Sequence, residues 1–351
     1  MALVAGDLRA QGRFEQARDL DQETLDTCRA TFGPDYPATL SAAHGLGVSL
    51  RLTGEFRTAL ERDSDTSRRL ADVLGINHPL TLSTLNGLTL DLRECGRYIE
   101  AHIDQEKLYA RTRTVLGEDH PQTLMAARNL AVSRRRAGEH ETARKLAHDT
   151  MTRLAQRFGP LNPETVAAAL NYAVDLREDD RLEESLALAV QARENYEHLL
   201  GPNHPYTLYA RTNLGIVLRL LGRLDEARQH DSAAYDGLRA RLGPDHAMTL
   251  AAATNLAGDY AAQGDPATAH EIDRDAWSRS RVRLGEDHPS TLACALNLHF
   301  DLIALGRAGE AREIYRAVMD GCRRVLGDQH PAIRAAEAGE RANGDVDPMP
   351  L

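Results

Sequence analysis

The chain has 351 residues, a formal net charge of −10 and a composition that is 42% hydrophobic but only 5% aromatic. Abundant Ala, Leu, Arg and Glu beside so few aromatic residues favour helices over a sheet sandwich. The acidic balance argues against a general nucleic-acid binder and against a binder of anionic membranes, because both need a basic surface.

Two columns of helix breakers run through the chain. The first is a glycine that recurs every 42 residues and opens the motif GEDHP at 117–121 and 285–289: Gly33, Gly75, Gly117, Gly159, Gly201, Gly243, Gly285 and Gly327. The second keeps the same interval, with one aspartate: Gly12, Gly54, Gly96, Gly138, Asp180, Gly222, Gly264 and Gly306. Because glycine just past a helix end closes the last carbonyls, two breakers in each period predict two helices in each period.

The predicted elements follow these columns along the chain. The chain opens in mid-helix, since Leu3 aligns with Asn129, so the first repeat is expected to lack its start. Segments between the columns, such as 123–138 and 207–222, carry apolar residues at three- and four-residue spacings and are predicted amphipathic helices. Residues 330–342 are predicted to form a short polar helix that covers the end of the stack, and 343–351 a disordered tail.

These elements predict an all-α fold. We expect a right-handed superhelical α-solenoid of about eight helix-turn-helix pairs with a short C-terminal capping helix. Residues 1–342 are expected to form a single array. The first helix of each pair then lines the concave wall, where recognition is expected.

A histidine precedes the first helix of most pairs. The column contains His78, His120, His204, His246, His288 and His330, with Tyr36 and Asn162 in two copies. A metal site would not tolerate tyrosine and would need a second ligand close by. The sequence therefore favours a helix cap or a packing residue over a metal or catalytic group.

The repeat resembles a known family. The matching residues in one copy are Asn213, Leu214 and Gly215 in the first helix, then Gly222, Leu224 and Ala227 where the second helix opens. The repeat is similar to the tetratricopeptide repeat in its 42-residue form. That form is found in kinesin light chains and in bacterial proteins, including those of the FxSxx-COOH system and those that accompany switch NTPase domains. The resemblance implies protein or peptide contacts, with asparagines of the first helix clamping a bound peptide.

Helical arithmetic at about 100° per residue places three columns on the expected concave wall. Its centre is aliphatic, with Val132, Val174 and Ile216. One shoulder carries Asn129, Asn171, Asn213, Asn255 and Asn297, and the other carries Arg51, Arg93, Arg135, Arg177 and Arg219. An asparagine amide matches a peptide main chain, while arginine forks favour an acidic segment or a free C-terminus. These residues form the candidate peptide-binding groove.

A structural interpretation stays open for both shoulders. The asparagines could equally satisfy buried groups between repeats, because amide side chains serve both uses. The arginines could pair with acidic columns of the same period: Asp91, Asp175, Asp259, Asp301, Asp21, Asp63, Asp231 and Asp273. Internal pairing is favoured for the arginines, since these acids outnumber them.

No motif for catalysis or for a cofactor is present. The chain lacks GxGxxG, GxxxxGK[ST], HExxH and GxSxG patterns in a strand-to-helix setting, so no enzyme, catalytic residue, cofactor or metal is predicted. Cys294 lies near His288, but it stands where other copies have small residues and is interpreted as core. Four scattered cysteines without a secretory segment favour a cytoplasmic protein, and no segment is apolar enough for a membrane role.

The predicted function is a non-catalytic scaffold or adaptor that binds a peptide or partner protein in its groove, with an acidic or C-terminal segment as the favoured ligand. The alternative is a sensory or regulatory module that acts with a separate effector domain of the NTPase type. The sequence does not identify the partner or decide whether the array self-associates.

Overall fold

The computed structural model describes residues 1–345 and 347–350, and the chain in these ranges forms seventeen helices without a strand. None of the helices in this part of the chain is long and apolar enough to cross a membrane. The helices are α1 (Ala2–Ala10), α2 (Phe14–Phe32), α3 (Pro37–Leu52), α4 (Phe56–Leu74), α5 (Pro79–Glu94), α6 (Tyr98–Leu116), α7 (Pro121–Arg136), α8 (His140–Phe158), α9 (Pro163–Glu178), α10 (Leu182–Leu200), α11 (Pro205–Leu220), α12 (Leu224–Leu242), α13 (Ala247–Ala262), α14 (Pro266–Arg283), α15 (Pro289–Ala304), α16 (Ala308–Leu326) and α17 (Pro331–Glu337).

The breaker columns end the helices as expected. Gly33, after α2, has φ 87° and ψ 169°, a conformation that is essentially restricted to glycine. In the second column, Asp180 is the one residue other than glycine with a positive φ (58°) in the described chain. Aspartate tolerates the left-handed region better than most residues do. The all-α class, the paired helices and the short C-terminal helix are confirmed.

The C-terminal helix is shorter than the sequence predicts. The helix α17 ends at Glu337, whereas the sequence predicts helix as far as residue 342. Gly339 has φ 85°, which ends the helix and turns the chain, so that residues 340–345 have no helical structure.

The chain divides into two compact units. Unit 1 comprises Met1–Arg136 and Glu141–Ala168 with the last residues from Met349, and unit 2 comprises Ala137–His140 and Ala169–Pro348. The helix α9 therefore begins in unit 1 and ends in unit 2. The single array over residues 1–342 stays a prediction.

Within each unit, consecutive helices pack through small residues. The alanine five positions after each breaker of the second column has no exposed surface: Ala17, Ala59, Ala101, Ala143, Ala227, Ala269 and Ala311. Ser185 takes this position after Asp180, is also fully buried, and donates a hydrogen bond of 2.7 Å to the carbonyl oxygen of Ala173. A methyl-sized group lets the paired helices approach closely, because interiors are packed without voids.

The histidine column caps the first helices. In six copies the histidine Nδ1 accepts a hydrogen bond of 3.1 to 3.2 Å from the backbone N–H two residues on. Asn162 does the same through Oδ1, at 3.0 Å from the N–H of Glu164. Tyr36 makes no such side-chain bond. The side chains thus satisfy one of the N–H groups that the first turn leaves unpaired.

Replacing His78 by alanine is therefore expected to lower the free energy of unfolding by about 1 kcal/mol, the usual cost of losing an N-cap. His78→Asn is expected to retain stability, because Asn162 makes the same bond in another repeat. Urea denaturation followed by circular dichroism measures both variants. Equal losses in the two would show that His78 acts through packing instead of through its hydrogen bond.

Candidate functional site

In unit 1 two arginines of the column, Arg51 and Arg9, form an internal ladder of ion pairs. Arg51 Nη1 lies 2.6 Å from Asp63 Oδ2 on the next helix and 2.9 Å from Asp91 Oδ1 in the next repeat. The two acids follow the arginine by 12 and 40 residues. Arg9 repeats the pattern, with Asp21 at 2.7 Å and Ser49 at 3.1 Å. The arginine side chain at 51 is therefore part of the interior.

The burial of this ladder explains an interruption in the asparagine column. Gly87 stands where later repeats have asparagine, and a Cβ atom there would lie 2.6 Å from Asp63 Oδ2 and 2.8 Å from Arg51 Nη2. A side chain at that position would displace the ion pair. Burial alone would lower the pKa of Arg51, but the carboxylates of Asp91 and Asp63 more than offset it and raise that pKa.

The other candidates in unit 1 are buried. Asn129 donates from Nδ2 to Asn86 Oδ1 at 3.2 Å, which is a contact between neighbouring repeats. Arg93 pairs with Glu94 at 3.1 Å. Arg135 and Val132 are 6% and 1% exposed. A ligand-binding role for these residues stays a prediction.

We call an arginine of the column together with the two acids that follow it by 12 and 40 residues a rung of the ladder. In unit 2 one rung is complete and two rungs lack some of these residues. Arg219 lies 2.7 Å from Asp259 and 3.8 Å from Asp231, at the same offsets as in unit 1. Arg177 lacks both acids, because the positions 12 and 40 residues on hold Ala189 and Val217. The opposite mismatch occurs one repeat after Arg219. There Asp273 and Asp301 keep their positions, but the residue that should pair with both is Ala261.

The residues after α17 supply both missing charges. Arg341 reaches Asp301 Oδ1 at 2.6 Å and Asp273 Oδ2 at 2.5 Å. Asp345 accepts from Arg177 Nη2 with both carboxylate oxygens, at 2.8 and 3.0 Å. We refer to residues 341–345 as the tail segment. Its arginine and its aspartate are four positions apart. The arginine supplies the cation that one rung lacks, and the aspartate supplies the carboxylate that the other rung lacks.

Asparagines hold the main chain of the tail segment between these two ion pairs. Asn297 accepts the N–H of Ala342 at 2.8 Å and donates to its carbonyl oxygen at 2.9 Å. Asn255 does the same for Gly344, at 2.8 and 3.1 Å. Each side chain thus forms both hydrogen bonds of one peptide residue, as an adjacent strand would. Arg177, Asn255, Asp273, Asn297 and Asp301 together are called the tail site.

The tail segment fits closely at Gly344. A Cβ atom on Gly344 would lie 2.4 Å from the carbonyl oxygen of Ala251 on α13, so a larger residue could not keep this position. Tyr209 Oη donates to the Gly344 carbonyl at 3.3 Å. Arg219 donates to the side-chain oxygen of Asn343 at 2.7 Å. Contacts to the main chain and to the side chains therefore both fix the register.

The remaining predicted site residues of unit 2 are buried. Val174 is 5% and Ile216 0% exposed, and Asn171 is 3% exposed. Asn213 is 2% exposed, and neither of its amide atoms has a hydrogen-bond partner within residues 1–345 and 347–350. Their assignment to a groove stays a prediction.

The role of the tail segment was not predicted from the sequence. Arg341 was expected in the capping helix and Asp345 in a disordered tail, because neither lies in a periodic stretch. The signal visible in the sequence is the mismatch at Arg177 and at Ala261. Arg93, with Gln105 and Ser133 at the same offsets, shows a similar mismatch and pairs with Glu94, so the acidic pair left by Ala261 is the more specific of the two signals. Residues 346 and 351 of the predicted disordered tail lie outside the described residues.

Burial sets the electrostatics of the tail site. Desolvation raises the pKa of Asp273 well above its usual value, Asp301 raises it further, and Arg341 opposes both effects. Burial by itself would lower the pKa of Arg177, but Asp345 and Glu178 more than offset it. The two unmatched rungs are thus stabilised by the opposite charges of the tail segment.

Two chemical roles, metal binding and a reactive Cys294, were considered in the sequence. No group of three or more His, Cys, Asp or Glu that could hold a metal occurs within the described ranges. Burial raises the pKa of Cys294 to about 11, and Thr254 lies 3.2 Å from its sulfur. A buried thiol of this kind is not a nucleophile at neutral pH.

Three solved structures are similar to this chain, two of them with TM-scores above 0.5. A Rap protein in complex with competence and sporulation factor is 13% identical, with a TM-score of 0.60 over 96% of this chain and 97% of that chain. The apo form of the quorum sensor NprR from B. thuringiensis is 15% identical, with a TM-score of 0.60 over 91% and 86%. Kinesin light chain repeats from Podosopora anserina are 23% identical, with a TM-score of 0.46 over 58% and 97%.

Sequence models of one family match most of the repeats. No curated protein sequence matches the chain. One model described as Tetratricopeptide repeat matches residues 1–65, 164–240 and 210–278, and a second with the same description matches 81–122 and 291–332. The first model alone covers more than half of the chain, so the chain belongs to the tetratricopeptide repeat family.

Proposed function

We propose that this protein is a non-catalytic scaffold or adaptor that binds an extended peptide segment of a partner protein at the tail site. Tetratricopeptide repeats support protein interaction as the general role. The observation that carries the finer proposal is the pair of two-point hydrogen bonds from Asn255 and Asn297 to main-chain amides. A cytoplasmic location stays a prediction.

Recognition through the main chain explains why the site suits a peptide. The carboxamide of asparagine presents one donor and one acceptor to the N–H and C=O of a single residue. Asn297 and Asn255 contact alternate residues, 342 and 344. In an extended chain alternate residues face the same side, so the two asparagines lie along one edge of the peptide.

The regulatory alternative also has an observation in its favour. The chain's own tail segment lies on the site, so a ligand from elsewhere would have to displace it, which makes binding conditional. The quorum sensor NprR and the Rap protein complex are similar to this chain in fold only, at 15% and 13% identity. An NTPase-type effector and a peptide-natural-product system as its context stay predictions.

The proposal predicts binding in trans once the tail segment is removed from the site. The full-length double variant Arg341→Met/Gly344→Leu, called the released chain, loses the charge of residue 341 and clashes with α13 at residue 344. A fluorescein-labelled peptide of residues 338–350 is expected to bind the released chain. Asn255→Ala/Asn297→Ala in the released chain is expected to weaken binding about a hundredfold or more, because four hydrogen bonds are lost. Fluorescence anisotropy measures both.

A matched control is Asn77→Ala/Asn203→Ala, which removes two exposed asparagines and should leave the affinity unchanged. A second probe is the peptide with an N-methyl group at Ala342, which lacks the N–H donated to Asn297 and should bind weakly. The proposal is wrong if no peptide binds the released chain, or if the asparagine pair can be removed without loss.

A further inference from the structure

We infer that the tail site selects peptides by charge. Its ligand is an extended segment of a partner protein in which an arginine is followed by a small residue three positions after it and by a carboxylate four positions after it. This inference rests on the proposed function and specifies its ligand. The acidic or C-terminal ligand expected from the sequence gives only the last of these three features.

The arginine subsite consists of an acidic pair that has no partner in the repeat itself. Asp273 and Asp301 have side chains with 0% exposure, and the ladder position that would neutralise them is Ala261. Two buried carboxylates without a cation are strongly unfavourable. A guanidinium group satisfies both at once with separate nitrogens, as Arg341 does, whereas an ammonium would act as a point charge.

The second subsite is a buried cation without an acid of its own ladder. The Arg177 side chain is 2% exposed, and Ala189 and Val217 stand where other rungs have acids. Glu178, the next residue on α9, lies 3.0 Å away and is itself 32% exposed. A ligand carboxylate is thus bound by a preorganised and nearly dry guanidinium, where charged hydrogen bonds are strong.

The small residue between the two charges follows from the approach to α13. At the position of Gly344, a Cβ atom would lie 2.4 Å from a backbone oxygen, which cannot move aside as a flexible side chain could. The asparagine contacts at 342 and 344 fix the main chain relative to both charged subsites. The spacing of arginine, small residue and carboxylate is therefore set by the site and not by the tail alone.

The experiment varies the ligand and the site separately. Peptides of residues 338–350 with Arg341→Met or Asp345→Asn are each expected to bind the released chain about tenfold to a hundredfold more weakly than the parent peptide. A Glu340→Gln peptide, altered at an exposed position, should bind as the parent does. The intact wild-type chain should bind all peptides weakly, because its own tail segment occupies the site.

A double-mutant cycle assigns the arginine to its subsite. In a released chain with Asp273→Asn/Asp301→Asn, the parent and Arg341→Met peptides should bind alike, because the partner of the guanidinium is gone. The control Asp275→Asn/Asp287→Asn removes two acids that are 57% and 63% exposed and should preserve the difference. The peptide series on the unchanged released chain tests the inference even if the buried double variant does not fold.

The outcomes separate the two proposals. If the parent and charge-altered peptides bind equally tightly, the charge selection is wrong while main-chain binding stands. If no peptide binds, the proposed function fails as well. Sedimentation velocity of the wild-type chain tests whether a second copy of the chain supplies the tail segment that occupies the site. Dimers that dissociate on Gly344→Leu would show that it does, and would overturn the assignment to a partner peptide.

Discussion

Replacing Arg51 by methionine is expected to lower the free energy of unfolding by about 3 to 5 kcal/mol, the cost of removing one partner from a buried ion pair. The arginine side chain is 4% exposed, and both of its carboxylate partners, Asp63 and Asp91, are fully buried. Methionine fills a similar volume but leaves the two carboxylates without a cation. Burial already raises the pKa of Asp91, and Arg51 opposes that rise. The variant should therefore bind a proton on folding.

The control for this prediction is Arg68→Met on α4. Arg68 is 65% exposed and its partner Asp65 is 50% exposed, so its loss should cost less than about 1 kcal/mol. Urea denaturation followed by circular dichroism measures both variants at pH 7. A loss for Arg51→Met that is no larger than the loss for Arg68→Met would show that the ladder adds nothing to stability. The triple variant with Asp63→Asn and Asp91→Asn should recover part of the loss.

The helices could be predicted from the sequence because their ends depend on single residues with strong local preferences. Gly33 adopts a backbone conformation that other residues avoid, and its copies recur at a constant interval. The histidines could be recognised as caps for a similar reason, since Asn162 performs the same local task. Because the same helix-ending glycine recurs in eight copies, the positions of the helix ends are well determined by the sequence.

The pairing of the arginines with the acidic columns could be predicted from the sequence, but the contacts of the tail segment could not. Arg51 and its acids recur at offsets of 12 and 40 residues, so the arithmetic of the period favours internal pairing. The contact between Arg341 and Asp273 spans 68 residues and occurs once. Asn255 bonds to the main chain of residue 344, and almost any residue type offers the same main-chain groups. The identity of the bound residue therefore does not indicate the contact, except that the glycine at 344 has no side chain. Periodicity cannot reveal a contact made by a segment outside the repeat.

Replacing Arg341 by methionine is expected to destabilise unit 2 by about 2 kcal/mol at pH 8, less than a fully buried pair because Arg341 is 22% exposed. The loss should shrink as the pH falls. Asp273 has a folded-state pKa above its ordinary value of 3.8, and Arg341 is the group that opposes the rise. Without it the pKa rises further, so the folded variant binds a proton that the unfolded chain binds only near 3.8. Stability then increases as pH decreases through the raised pKa.

The groups facing Asp273 are Asp301, Arg341 and the thiol of Cys294, and His270 is close enough to Asp301 to interact with it. Trp277, the one tryptophan of the chain, lies on α14 and packs against an apolar cluster that includes Cys294, so its fluorescence in urea reports on unit 2 at each pH. Arg316→Met, at an exposed position on α16, should give a small loss that does not change with pH. A constant loss for Arg341→Met from pH 8 to pH 5 would mean that removing Arg341 does not increase the proton uptake of folding over this range. That result would contradict the neutralisation of the buried carboxylate pair by Arg341 of the tail segment.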